Sequence, residues 1–236
     1  MRFVDTGQWP WNIPAVADMV EHGLTFTEPV TFLVGDNGSG KSTLVEAIAE
    51  AFQLDARGGR AGPRRGSPDT IKTPLGEVLR SDLTARGARM LSGPRLKKKG
   101  FFLRAETAFS MTERLGGVLG FWEEDTARMS HGEGFNTVFR AMFKEPGFYV
   151  MDEPESALSF TSCLQLVALM YELGQSGAQV VCATHSPILA ATPRADIIEL
   201  GEHGMRRVQW GSLDLIDHWR RFLNVPDAYL RHITEP

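Results

Sequence analysis

The sequence predicts an α/β fold on a mostly parallel sheet. Three short apolar runs, Pro29 to Val34 (which is rich in β-branched residues), Phe148 to Met151 and Gln179 to Ala183, read as buried strands. Helix-spaced segments lie between them, and strands that alternate with helices pair in parallel because each connection must cross back over the sheet. The first 30 residues read as short strand-like pieces with the aromatic pair Trp9 and Trp11. Ser42 to Gln53 reads as a helix with Leu44, Ile48 and Phe52 on one face. Phe101 to Ala105 reads as a further strand, followed by a helical stretch to Ser130. Phe160 to Leu173 is expected to be a helix, as is the tail from Ser212 to Ile233, which carries Trp219, Phe222 and Leu223.

The chain has 236 residues, 42% of them hydrophobic, enough for a single domain with a sizeable core. A net charge of −4 gives the whole molecule no basic signature for nucleic acid. The charge is uneven. Residues 55–100 hold 12 Lys and Arg against 4 Asp and Glu, and are rich in Gly and Pro. This stretch is expected to be a mostly mobile basic insertion with a short helix around Leu75 to Leu83. Its charge keeps nucleic acid open as a partner, although a basic run is more often a solvated loop. Cys163 and Cys182 belong to no metal-ligand spacing and read as buried reduced thiols, which suits the cytoplasm. No apolar run approaches the roughly 18 residues of a membrane span, so direct membrane insertion is not expected.

Gly35-Asp36-Asn37-Gly38-Ser39-Gly40-Lys41-Ser42-Thr43 fits G-x-x-x-x-G-K-[ST] in full, with a strand before it and a helix after it. Phosphate oxygens need several N–H donors converging on one concave site, and the glycines let the backbone turn tightly enough to make one. The helix adds the positive end of its dipole. Lys41 then brings a full charge to the β- and γ-phosphates, and the Ser42 hydroxyl is a magnesium ligand. Asp152 and Glu153 stand at the end of the strand Phe148 to Met151, where ligands sit in an open parallel sheet. Asp152 is expected to hold Mg²⁺ and Glu153 to polarise the attacking water.

These residues resemble the ABC-type ATPase superfamily. Besides the phosphate loop and Asp152-Glu153-Pro154, Glu155-Ser156-Ala157-Leu158-Ser159 looks like that family's D-loop, and Thr184-His185-Ser186 like its switch histidine. Met129-Ser130-His131-Gly132-Glu133 occupies the place of the signature motif, with His131 and Glu133 departing from its Gly and Gln. Within the superfamily the chain is similar to small stand-alone AAA/ABC-like ATPases and to the nucleotide-binding heads of RecF-like and SMC-like proteins.

The resemblance implies a P-loop NTPase fold over residues 1–236, with an antiparallel edge and a reduced helical lobe and signature region within 101–145. It implies ATP and Mg²⁺ as ligands, with Ser42 and Asp152 on the metal and Glu106 as a further candidate in the place of the family's Q-loop glutamine. Glu153, His185 and Lys41 are the implied catalytic residues. It also implies an ATP-dependent homodimer in which Ser130 and Gly132 of one head close on the γ-phosphate held by the other. An adenine-stacking aromatic is expected upstream of the loop, where Trp9 and Trp11 lie, although core packing is the stronger reading for at least one of them. Three roles share this machinery: an ATPase of DNA maintenance or defence, the ATPase subunit of a membrane transporter, and a slow nucleotide-gated switch. About two dozen residues between Glu106 and Ser130 leave little room for a transporter-coupling lobe, which disfavours the second.

Overall fold

A computed structural model of the protein describes residues 7–54, 59–60, 72–91, 100–104, 139, 143, 146–156 and 158–234. The strands are β1 (Val30–Val34), β2 (Gly59–Arg60), β3 (Gly100–Arg104), β4 (Phe148–Asp152), β5 (Gln179–Thr184), β6 (Asp196–Gly201) and β7 (Gly204–Arg207). They form one sheet in the order β2-β3-β4-β5-β1-β6-β7. The five inner strands run parallel, and β2 and β7 pair antiparallel at the two edges. The carboxylate strand β4 is thus separated from the phosphate-loop strand β1 by β5 alone. Because all three run the same way, their C-terminal ends open on the same edge of the sheet.

Side chains alternate across each strand and build two cores. Phe32 and Val34 of β1, Tyr149 and Met151 of β4, and Val180 and Cys182 of β5 pack with Leu166, Met170 and Leu173 of α5 (Phe160–Ser176). On the other face, Leu33, Val150, Val181 and Ala183 pack with Leu44, Val45 and Ile48 of α2 (Lys41–Ala51). Burying a side chain such as Phe32 or Leu33 completely contributes about 1.5–3 kcal/mol. Both cysteines are buried free thiols, and burial pushes their pKa values up.

The first 30 residues differ from the strand-like reading. Residues 1–6 lie outside the described residues, and the described part holds α1 (Pro14–His22), which starts with Pro14 in the first turn and buries Ala15, Val16 and Met19 at helical spacing. Asp18 ties this helix to β7 by accepting from the Met205 N–H at 2.7 Å, and that bond holds its carboxyl below the usual range. Within the basic stretch lie two short helices, α3 (Pro74–Val78) and α4 (Ala85–Leu91). The tail is two helices, α6 (Asp214–Asn224) and α7 (Asp227–Thr234), interrupted at Val225-Pro226, where a helical conformation before proline is disfavoured. Among the described residues no helix is long and apolar enough to cross a membrane.

Candidate functional site

The phosphate loop leaves β1 at Val34 and enters α2 at Lys41. Gly35 is pressed against the end of β6: a Cβ there would stand 2.5 Å from the Leu200 carbonyl oxygen and 2.7 Å from Ser39 Oγ. Gly40 caps α2 in the left-handed region at φ +96°, which costs a non-glycine residue energy. With no side-chain cap on α2, the N–H groups of its first turn remain available to an anion. Ser39 Oγ is buried in the loop without a hydrogen-bond partner among the described residues, leaving a donor for an acceptor oxygen.

Lys41 is almost fully buried. Its ammonium donates to the carbonyls of Gly35 at 2.8 Å and Asp36 at 3.0 Å, and stands 3.5 Å from Glu153 Oε1. The charge is therefore held inside the loop rather than on a swinging surface chain.

Ser42 and Asp152 come from elements 110 residues apart in sequence, and the Ser42 hydroxyl donates to Asp152 Oδ1 at 3.1 Å. Burial is the main cause that pushes the Asp152 carboxyl up to about 6, against the Ser42 bond and the Arg104 charge that pull it down. A buried carboxylate beside a hydroxyl fits a small hard cation that also takes substrate oxygens. Among the described residues no group of three or more His, Cys, Asp or Glu could hold a metal by itself.

Glu153 follows at the strand end with φ +47°, an uncommon conformation for a side chain of this size. Its N–H bonds the Ala183 carbonyl at 2.9 Å, carrying the β4–β5 ladder one step beyond the strand. Its Oε1 lies 3.5 Å from His185 Nδ1 as well as 3.5 Å from Lys41. Lys41, Ser42, Asp152, Glu153 and His185 are thus gathered at one place. Ser130, Gly132 and Glu106 lie outside the described residues. Trp11 packs against the α2-side core, whereas Trp9 is exposed.

The contacts of two groups at the site, Arg104 and Glu155 of the D-loop-like segment, escaped the sequence reading. Arg104 ends β3 in register with Asp152 and forms a 2.8 Å ion pair with Glu46 of α2, setting a cation beside the carboxylate strand. Its place at the C-terminal end of a buried strand was the available signal. Glu155 is buried next to His185 and accepts from its backbone N–H at 3.0 Å.

A family model described as an AAA domain matches residues 20–76, which contain β1, the loop and α2. The glutamate transport ATP-binding protein GluA of Corynebacterium efficiens is 29% identical, over 66% of this chain and 69% of that protein. The ribose import ATP-binding protein RbsA of Yersinia pestis is 23% identical over 89% of this chain, which spans only 47% of RbsA. Among solved structures, cbiO1 of Clostridium perfringens is similar with a TM-score of 0.48 and 14% identity, covering 90% of each chain. The SMC head domain of Thermotoga maritima is similar with a TM-score of 0.46 and 18% identity, covering 78% of this chain and 91% of that one. The segment matched by the AAA-domain model contains the complete phosphate loop, and the chain is similar to ATP-binding proteins of the ABC type.

Proposed function

We propose that this chain binds ATP with magnesium at the C-terminal ends of β1, β4 and β5 and hydrolyses it. The observation that carries the reading is the convergence of a buried lysine, a serine–aspartate pair and a glutamate–histidine pair on one phosphate loop. Lys41 meets the β- and γ-phosphate oxygens with a charge already fixed in place, and the N–H groups at the head of α2 add donors. Ser42 and Asp152 would hold magnesium, whose chemistry is to neutralise charge on the phosphate oxygens. Glu153 orients and polarises the attacking water, and His185 beside it contacts the γ-phosphate. Phosphate release by the full chain with magnesium and ATP tests this directly. ATP binding without release above an EDTA control would leave a nucleotide-gated switch instead.

From the resemblance to ABC-type ATPases, in which the signature of one head closes on the γ-phosphate of the other, we assign the working form as a homodimer around two ATP molecules, with Ser130 and Gly132 of each head serving the other. The buried free thiols favour the cytoplasm. DNA maintenance or defence is the role we favour, and the basic stretch is what supports it. Within that stretch Arg86 already spends one donor on the Gly177 carbonyl and Arg80 bonds its own neighbours, so residues 92–99 carry the test. A second reading has a specific observation behind it: GluA and RbsA are named as transport and import ATP-binding proteins, which favours service to a membrane transporter. Recovery of a permease or of DNA with the ATP-bound protein separates the two.

A pH dependence follows from Asp152. Its folded-state pKa of about 6 is above the ordinary aspartate value of 3.8. Between those values the folded chain holds a proton that the unfolded chain lacks, so this residue's contribution is most favourable below 3.8 and is lost as pH rises through about 6. In EDTA, the stability gained by Asp152→Asn over the parent should therefore be largest at neutral pH and shrink below pH 6, as measured by urea unfolding. A pH-independent difference would show that burial does not control this carboxyl.

A further inference from the structure

Strands β4 and β5 hold each other through Asp152 and Ala183, and the Glu153 N–H bond to Ala183 is the last rung of that ladder. Past it the two chains part. Residues 153–156 turn, with the Ser156 N–H on the Glu153 carbonyl at 3.2 Å, while β5 runs on through Thr184 to His185. Backbones that diverge no longer fix each other's side chains. At this point the Glu155 side chain bridges the gap. Its Oε1 accepts from the Thr184 hydroxyl and from the His185 N–H at 3.0 Å, and lies 3.6 Å from His185 Nδ1. Thr184 Oγ1 accepts in turn from the Ser186 N–H at 2.9 Å, so one carboxylate oxygen organises the whole corner.

The arrangement is costly if packing is its only purpose. Glu155 is 8% exposed, and its second oxygen, Oε2, is buried with no hydrogen-bond partner among the described residues. A buried carboxylate with an unpaired oxygen destabilises a fold, and an apolar residue of similar size would often serve packing as well or better. What the carboxylate does fix is a half-exposed imidazole that faces Glu153 at 3.5 Å. Two carboxylate oxygens, one from Glu153 and one from Glu155, stand against the same ring nitrogen. They favour the tautomer with its proton on Nδ1, which leaves Nε2 on the other side of the ring for a ligand.

The geometry points to Glu155 as a positioning residue: it anchors the β5 end to the carboxylate turn and sets the orientation and tautomer of His185 beside Glu153. This rests on the hydrolytic reading for its consequence, but not for its geometry. In the full chain, well below its melting temperature, Glu155→Ala should lower kcat for ATP by about tenfold or more with KM little changed, the size of effect expected from a misplaced catalytic group. Glu155→Gln, whose amide oxygen still accepts from both donors, should recover most of the loss. Combined with His185→Ala, Glu155→Ala should cost nothing further, because both lesions act through the same ring. A purely structural role would instead reduce the fraction of ATP-binding molecules at unchanged turnover per site. Should the alanine variant fail to fold, Glu155→Asp keeps the charge but falls one methylene short, and serves in the same comparisons.

The nitrogen chemical shifts of the His185 ring provide a readout free of activity. They should move toward the Nε2–H tautomer in Glu155→Ala or Glu155→Asp while those of the other histidines stay. Parental kcat in the variants, losses that multiply with His185→Ala, or an unmoved His185 ring would each overturn the assignment. A parent protein that hydrolyses no ATP, but whose His185 ring responds to Glu155, would defeat the hydrolytic reading and leave the positioning intact.

Discussion

Lys41→Ala is expected to weaken ATP binding by about 30-fold to several thousandfold, because truncating one member of a buried, hydrogen-bonded charge pair costs roughly 2–5 kcal/mol. Two effects add here. The variant loses the charge that meets the phosphates, and it also loses the staple across the loop, since the same ammonium bonds the Gly35 and Asp36 carbonyls. It further leaves Glu153 without its lysine neighbour, so an uncompensated carboxylate would face the incoming triphosphate. Lys41→Met separates these contributions in part, because it retains the buried stem while removing the charge. Calorimetric titration with ATP and magnesium measures the loss. An affinity within threefold of the parent would mean that the loop does not bind nucleotide as proposed.

Much of this site was legible in the sequence because its parts are local. The loop residues 35–43 and the pair Asp152-Glu153 each need neighbouring residues of set type, and each sits where an apolar run ends. Those runs gave β1, β3, β4 and β5 to within a residue or two of their ends. Less local features escaped. The helix α1 was hidden among prolines and tryptophans, and it shows its helical spacing only once Pro14 is taken as a first-turn residue. Strand β6 carries a buried Glu199 in its middle, which breaks the apolar run that marks an inner strand. That carboxylate is satisfied by Arg206 on β7 and by the Asp214 N–H at the head of α6, partners that no local window contains. The same holds for the Arg104–Glu46 pair and for Glu155, whose partners lie 29 and 30 residues away. Ladder register, not spacing along the chain, brings these groups together.

Glu153→Gln should keep ATP bound and cut turnover by about a hundredfold or more, as expected when the group that polarises the attacking water can no longer accept its proton. The local charge explains why binding should survive. Glu153 Oε1 is 3.5 Å from Lys41, so neutralising it frees the ammonium from a competing anion and removes repulsion toward the γ-phosphate. The amide remains able to bond the groups that flank it, so the fold of the turn should hold. With hydrolysis blocked, the state that accumulates is the ATP state. In the proposed sandwich, a single head would leave one side of the γ-phosphate to water, which solvates the charge that a second head would meet with fixed donors. Dimerisation should therefore depend on ATP, and by linkage whatever stabilises the ATP state stabilises the dimer by the same free energy. Light scattering after size exclusion should show Glu153→Gln as a dimer with ATP and magnesium and as a monomer without them. Adding Ser130→Arg should break that dimer and leave ATP binding intact. Turnover at the parent rate would remove Glu153 from its role. A variant that binds ATP yet stays monomeric at saturation would refute the sandwich, and would make this chain a nucleotide-binding head that completes its site with an unlike partner.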